Sequence, residues 1–288
     1  MAFDIYAAVT DRIIAQLEQG IIPWEKPWTG VQSGAISGAT GKAYSLLNQM
    51  LLVKPGRWYT FAQAQKLGGM VRKGEKSSMV VFWKQHPITE TDPKTGEEIQ
   101  VFVPVLRYFN VFHESQIDGL PEVAADAITE HQEPSEAAEA VISGYVERSG
   151  IRFQAMTGSD EAYYSPIADK VVVPAMEQFP DVAEYYSTAF HELTHSTGHS
   201  SRLGRIKETA FFGNEEYSKE ELVAEIGAAA LMNYVGIETR KSLRNSAAYI
   251  QSWLRALKND KRLIVSASGA ASKSFDLITG TGAYAPES

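Results

Sequence analysis

Five residues constrain this chain more than any other stretch: His191-Glu192-Leu193-Thr194-His195. H-E-x-x-H sets two imidazoles at positions i and i+4. On a helix, at about 3.6 residues per turn, such side chains stand one above the other on one face. From there both can reach one Zn²⁺. Glu192 then sits on the flank, where it can hold the ion's water and take its proton, the ion having lowered that water's pKa to about 7. The surrounding residues 181–198 read as a helix. There is no cysteine, which excludes disulfides, thiolate metal sites and cysteine nucleophiles. Any ion is therefore held by His, Asp or Glu, and three of the six histidines fall within residues 191–199. The plain alternative is a helix with two exposed histidines and a solvated glutamate.

A catalytic zinc takes a third protein ligand. The metzincin pattern wants a histidine at position 201, where Ser201 stands. On a continuous helix His199 lies ~12 Å along the axis from His191. A break at Gly198 would bring it closer; otherwise it meets the helix dipole or forms a pocket wall. Glu221 and Glu225 stand at i and i+4 on the next predicted helix, 218–234. The segment resembles the thermolysin-like zincins, in which a Glu on a second helix is the third ligand and an acid one turn later orients a ligand histidine. That resemblance implies Glu221 as the ligand and Glu225 as the carboxylate behind a histidine. Glu225 as the ligand stays an alternative, and Ser218-x-x-Glu221 also fits a capping box. Residues 169–173 suggest an edge strand beside the site, able to pair with extended peptide, or simply a core strand. Tyr163, Tyr164, Tyr185 and Tyr186 are candidate oxyanion donors that spacing alone cannot separate.

Charge divides the chain. Of its 288 residues, positions 1–121 hold 12 Lys/Arg against 11 Asp/Glu, whereas 122–288 hold 15 against 24. Within 42–84, eight basic residues face a single acid, Glu75. This window interleaves Lys42, Arg57, Arg72, Lys73, Lys76 and Lys84 with Tyr44, Trp58, Tyr59 and Trp83. Cations neutralise phosphates, and flat rings stack on unpaired bases at ~1–3 kcal/mol per base. These ten residues are the candidate DNA-binding set, suited to single strands more than to duplex. The alternative is that the rings are core, which is the expectation for Phe82. The glycine-punctuated stretch 68–76 reads as a basic loop able to clamp phosphates.

The expected fold class is α+β with two domains: 1–121 for nucleic acid and 139–288 around the H-E-x-x-H helix. An acidic linker at 122–138, with Pro121 and Pro134 nearby, joins them. Helices are predicted at 3–19, 43–52, 60–67, 135–149, 181–198, 218–234 and 243–258. Strands are predicted at 78–84, 100–112, 151–155 and 169–174, with a turn at 92–96. No uncharged apolar run reaches the ~20 residues of a membrane helix, and the N-terminus lacks a signal-peptide pattern. The expectation is a cytoplasmic protein with no membrane partner.

With both halves read, the chain resembles the ArdC family of antirestriction proteins of plasmids and transposons. The segments carrying the likeness are DIYAAVTDRIIAQLEQGIIPWEKPW, SGATGKAYSLLNQMLL, QKLGGMVRKGEKSSMVVFWK, FHELTHSTGHSSRLGR and YSKEELVAEIGAAAL. The resemblance implies an N-terminal domain that binds single-stranded DNA, duplex being a weaker partner, and a C-terminal zincin-like metallopeptidase domain. It implies protection of incoming mobile DNA from restriction, as in plasmid conjugation, Zn²⁺ as cofactor with Mn²⁺ as the alternative ion, and a host protein as peptidase substrate. Two classes of function then compete: a zinc peptidase tethered to DNA, and a DNA-binding shield whose metal site is structural or vestigial. A nuclease is the weaker third, because nucleases favour carboxylate-rich two-metal sites.

Overall fold

A computed structural model describes residues 3–24, 34–52, 54–91, 98–121, 135–159, 161–179, 181–206, 215–237 and 247–283. The predicted turn at 92–96 and residues 122–134 of the predicted linker lie outside these residues.

Helix α1 (Ile5–Glu18) starts where the Asp4 carboxylate accepts the Ala7 amide, and buries Val9, Ile13, Ile14 and Leu17 along one stripe. Strand β1 (Ala35–Ser37) is followed by α2 (Leu46–Leu51), capped by Ser45. Strand β2 (Gly56–Thr60) leads into α3 (Phe61–Lys66), where Thr60 and Gln63 form a reciprocal capping box. Then come β3 (Met70–Val71), the long strands β4 (Ser78–Thr91) and β5 (Glu98–His113), and β6 (Ile117–Asp118). The main sheet runs β1-β2-β5-β4. Strand β2 pairs only with residues 111–113 of β5, whereas β4 pairs with β5 along its whole length. Beyond the sheet the hairpin therefore continues as a two-stranded ribbon. Both strands are longer than the pattern predicted, because residues 85–89, beyond the buried Met79–Val81, are mostly exposed and have no core face to impose alternation.

The C-terminal domain opens with α4 (Glu136–Ser149), closed by Gly150 in the left-handed conformation at φ 69°. Strands β7 (Arg152–Met156), β8 (Tyr163–Ser165) and β9 (Lys170–Pro174) form a sheet in the order β7-β9-β8. This corrects the expectation of an edge strand at 169–173. Strand β9 is central, with Val171, Val172 and Val173 buried, and the antiparallel edge is β8. Helices α5 (Val182–Ser196), α6 (Glu215–Tyr234), α7 (Ala247–Asn259) and α8 (Leu263–Thr279) complete the domain. The pattern did not predict α8.

The architecture is α+β in two domains, but they are not loosely joined. One apolar cluster contains Val9, Ile13 and Leu17 of α1, Met50 and Leu51 of α2, and Met79 and Val81 of β4. It also contains Leu222, Val223 and Ile226 of α6, Leu257 of α7 and Ile264 of α8. Trp24 and Trp253 meet edge to face, 5.1 Å apart. Polar contacts cross the same seam: Thr10 donates to the Lys261 carbonyl at 2.6 Å, and Lys258 pairs with Glu18 at 2.7 Å. Full burial of one such aliphatic side chain is worth about 1.5–3 kcal/mol, so this seam is a principal source of stability. Among the described residues no helix is long and apolar enough to cross a membrane.

Candidate metal centre

Helix α5 is built to be enclosed. The Asp181 carboxylate accepts the Glu184 amide at its start. Tyr186, Phe190 and Leu193 then pack into a second core with Tyr145 and Val171. The opposite face turns His191 and His195 toward α6. The two helices approach closely at one point: a Cβ on Gly227 would stand 2.6 Å from Thr194 Cγ2. The absence of a side chain there lets the acids of α6 reach the histidines of α5.

The two Nε2 atoms of His191 and His195 face each other at 3.0 Å. Glu221 Oε2 lies 3.6 Å from His191 Nε2, and Glu221 Oε1 lies 3.4 Å from His195 Nε2. A tetrahedral ion with bonds of about 2.0–2.1 Å needs donors about 3.3 Å apart. The observed separations fit that requirement, and the set of two imidazoles and one carboxylate suits a divalent ion. The other nitrogens turn outward to carboxylates: His191 Nδ1 to Glu225 Oε1 at 3.3 Å, and His195 Nδ1 to Glu220 Oε1 at 3.5 Å. Such outer partners fix which nitrogen faces an ion.

The electrostatics match a cation site. Burial would lower the His195 pKa, but Glu220 and Glu221 overcome it and push the imidazole up to about 10. Burial would raise the Glu221 carboxyl, but His191 and His195 hold it well below the usual carboxylate range. Glu220 is likewise raised by burial and lowered more by His195 and Arg205. These carboxylates thus hold positive charge at the centre. Glu192 is buried on α5 and adds to the field at His195.

Other expected residues stand elsewhere. The helix ends at Ser196, and His199 lies in the following turn, its Nδ1 2.7 Å from Ser201 Oγ. It is outside the cluster formed by His191, His195 and Glu221. Helix α6 begins at Glu215, so Ser218 is inside the helix and not its cap. Tyr185 and Tyr186 belong to the core, and the Tyr186 hydroxyl donates to Glu139 and accepts the Ser135 amide. Tyr164 donates to Asp169, and Tyr163 is exposed on β8. Glu220, Arg205 and Gly227 were not singled out from the sequence. Their one local signal was the position of Glu220 beside Glu221.

The candidate DNA-binding residues divide sharply. Tyr44 and Trp58 are buried in one core cluster and Tyr59 in another. This corrects their assignment as stacking platforms: Trp58 donates Nε1–H to the Lys54 carbonyl and packs on His113, and Tyr59 lies against Ala64 and Ile117. Arg57 is half-buried. Arg72 is tied to Glu75, Asp118 and the Ser115 carbonyl, which makes residues 72–76 a folded turn. Lys42, Lys73, Lys76, Trp83 and Lys84 are exposed. Phe82, expected in the core, is 40 % exposed. Phe82 and Phe109 lie on one face of the ribbon with rings 5.8 Å apart, and Arg107 is directly opposite Phe82. Phe109 and Arg107 were missed because a strand exposed on both faces shows no alternation.

Residues 3–112 match the family described as the N-terminal domain of anti-restriction factor ArdC, and residues 138–270 match the family described as zincin-like metallopeptidase. The crystal structure of the antirestriction ArdC protein from plasmid R388, without metal, is 39 % identical with a TM-score of 0.77, covering 99 % of this chain and 100 % of that one. The Mn(II)-bound structure of the same protein is 38 % identical with a TM-score of 0.76, covering 96 % and 98 %. A protein named DNA primase TraC from Escherichia coli is 36 % identical over 292 residues. That alignment covers 94 % of this chain and 26 % of TraC, so the chain spans about a quarter of that relative.

Proposed function

Because the chain belongs to the ArdC family of antirestriction proteins, with an ArdC-type N-terminal domain and a zincin-like C-terminal domain, we propose that it joins a zinc peptidase centre to a single-stranded-DNA surface. It would act in the cytoplasm on behalf of a mobile element. The nucleic-acid domain is assigned to residues 1–121, the joining segment to 122–138, whose last three residues already begin α4, and the catalytic domain to 139–288.

The observation that supports a peptidase centre best is that His191 Nε2 and His195 Nε2, 3.0 Å apart, face the two oxygens of one carboxylate, Glu221 Oε2 at 3.6 Å and Oε1 at 3.4 Å. His191, His195 and Glu221 are the proposed ligands. Zinc bound there supplies Lewis acidity, which makes water a nucleophile near neutral pH. Glu192 accepts the proton as general base and returns it to the leaving amine. Glu225 holds the His191 ring through Nδ1. The antiparallel edge β8 offers unpaired backbone to an extended peptide from a host protein. Glu192→Gln keeps the size of the side chain and removes the base, so it should lower hydrolysis of a cleaved host protein at least about 100-fold. Zinc content and DNA affinity should be unchanged. Full hydrolysis by Glu192→Gln would refute the base. Intact antirestriction by that variant in cells would make the protein a DNA shield.

The DNA surface is proposed on the ribbon, where Phe82 and Phe109 supply stacking and Lys84 and Arg107 supply charge. Lys42, Lys73 and Lys76 extend it, and Trp83 lies exposed on the opposite face of the ribbon. Exposed rings beside cations suit unpaired bases, and this arrangement replaces the buried Tyr44, Trp58 and Tyr59.

A further inference from the structure

Arg205 has five N–H donors, and all five have acceptors. Nε donates to Glu220 Oε2 at 3.1 Å and Nη2 to Glu220 Oε1 at 2.8 Å, a two-pronged pair. Nη2 also donates to the Thr194 carbonyl at 3.1 Å. Nη1 donates to Thr197 Oγ1 at 2.9 Å and to Ser274 Oγ of α8 at 3.0 Å. One planar group thus ties together the end of α5, the start of the ligand-bearing turn of α6, and α8. The Arg205 side chain is 15 % exposed and the Glu220 side chain 17 %.

Arg205 reaches this position because the chain doubles back after α5. The Ile206 amide donates to the Gly198 carbonyl at 2.9 Å. A Cβ on Gly198 would lie 2.7 Å from Ile206 Cγ1, so the return path requires glycine there.

The pair meets the centre through His195. Its Nδ1 faces Glu220 Oε1 at 3.5 Å, while its Nε2 faces the other ligand atoms. A carboxylate at Nδ1 selects the tautomer that leaves the Nε2 lone pair free, and makes that nitrogen a better donor. Left to itself, Glu220 is a buried carboxylate beside Glu221 and could swing toward the ion. The fork of Arg205 restrains both of its oxygens.

We propose that Arg205 and Glu220 are positioning residues for the metal centre, acting through His195. Arg205 orients Glu220, Glu220 orients the imidazole, and the ion gains a ligand fixed in its binding geometry. A lysine cannot replace Arg205, since it has no fork to restrain both oxygens. The inference rests on the proposed ligands His191, His195 and Glu221.

The test is the zinc affinity of the full chain, measured by competition with a chelating dye and checked with Mn²⁺ by electron paramagnetic resonance. Glu221→Ala and His191→Ala serve as controls: if they bind zinc as the wild type does, the ligand assignment itself fails. Given that those controls lose zinc, Glu220→Gln should weaken binding about 10–100-fold. Arg205→Lys should weaken it in the same direction. The double variant should bind within about threefold of Glu220→Gln alone, because one residue acts through the other. An ion pair that only supports the fold would lower the melting temperature of the chelator-treated protein and leave the zinc affinity unchanged. That result, in Glu220→Gln or, should it not fold, in Arg205→Lys, overturns the proposal.

Discussion

Asp169 adopts a left-handed backbone, at φ 44°, the one non-glycine residue to do so among those described. Asp and Asn tolerate this region better than most residues. Its carboxylate accepts from the Tyr164 hydroxyl at 2.9 Å and pairs with both Nη atoms of Arg202. Arg202 in turn donates Nε–H to the Ser196 carbonyl, at the last turn of α5. The Arg202 pairing holds the Asp169 carboxyl below its usual range, against burial and with help from Tyr164. A depressed carboxylate contributes stability above its unfolded pKa of about 3.9, and loses it as pH falls through the lower folded value. Asp169→Asn keeps the backbone preference and removes the charge. It should cost about 1–3 kcal/mol at pH 7, with the gap from wild type closing below about pH 4. Urea unfolding at pH 7 and pH 3 checks this; an equal gap at both would show that Asp169 is not the source.

At the scale of elements, α5 and α6 make the site by their separation. Gly227→Ala places a methyl against the β-branched Thr194, at 2.6 Å from its Cγ2. Alanine favours helix, so propensity alone would stabilise the variant by about 0.8–1.0 kcal/mol. Overpacking costs about 1–3 kcal/mol and outweighs it. The helices must part, and the expected result is a lower melting temperature together with zinc affinity reduced at least tenfold. Thr194→Ser in the same chain should recover part of both.

The ribbon is a second element with its own test. Phe82→Ala with Phe109→Ala should lower single-strand affinity by about 2–6 kcal/mol, taking ~1–3 kcal/mol per stacked base. Lys84→Ala with Arg107→Ala should flatten the slope of log affinity against log salt. Unchanged DNA binding in both pairs would move the surface off the ribbon.

What could be read before the structure follows from range. The i and i+4 spacings of His191/His195 and Glu221/Glu225 are local, so helix geometry alone aligned them. Glu220, Arg205 and Gly227 matter through contacts between elements far apart in sequence, which no local period records. Strand order is equally non-local, so Val171–Val173 did not disclose that β9 is central. Helix α8 was missed because LIVSASGAASKSFDLIT carries four serines, four β-branched residues and a glycine, which are weaker helix formers than alanine. Its small residues serve packing: Ala267, Ser268, Ala271 and Ser274 are buried against its neighbours. Trp58 and Tyr59 looked like stacking rings because their neighbours are basic, yet β2 is enclosed on both faces.

For the whole molecule, the shared core couples the two halves. Cut after residue 121, the N-terminal piece would expose Val9, Ile13, Leu17, Met50, Met79 and Val81, all buried in the intact chain. That piece should show no sharp thermal transition and should self-associate, whereas the full chain should melt in one step. A cooperative, monomeric 1–121 fragment would contradict the packing described here.

Helix α6 faces two ways. Glu220, Glu221 and Glu225 point at the histidines, while Leu222, Val223 and Ile226 enter the core shared with α1, α2 and β4. Ligand that binds only the folded chain adds RT ln(1 + [L]/Kd) to its stability, about 4.1 kcal/mol at a thousandfold excess over Kd. In a chain that melts as one unit, that increment is not confined to the zincin-like domain. If the chain binds zinc as proposed, the supply of that ion would also set how long the proposed DNA-binding ribbon, on the far side of the shared core, resists proteolysis.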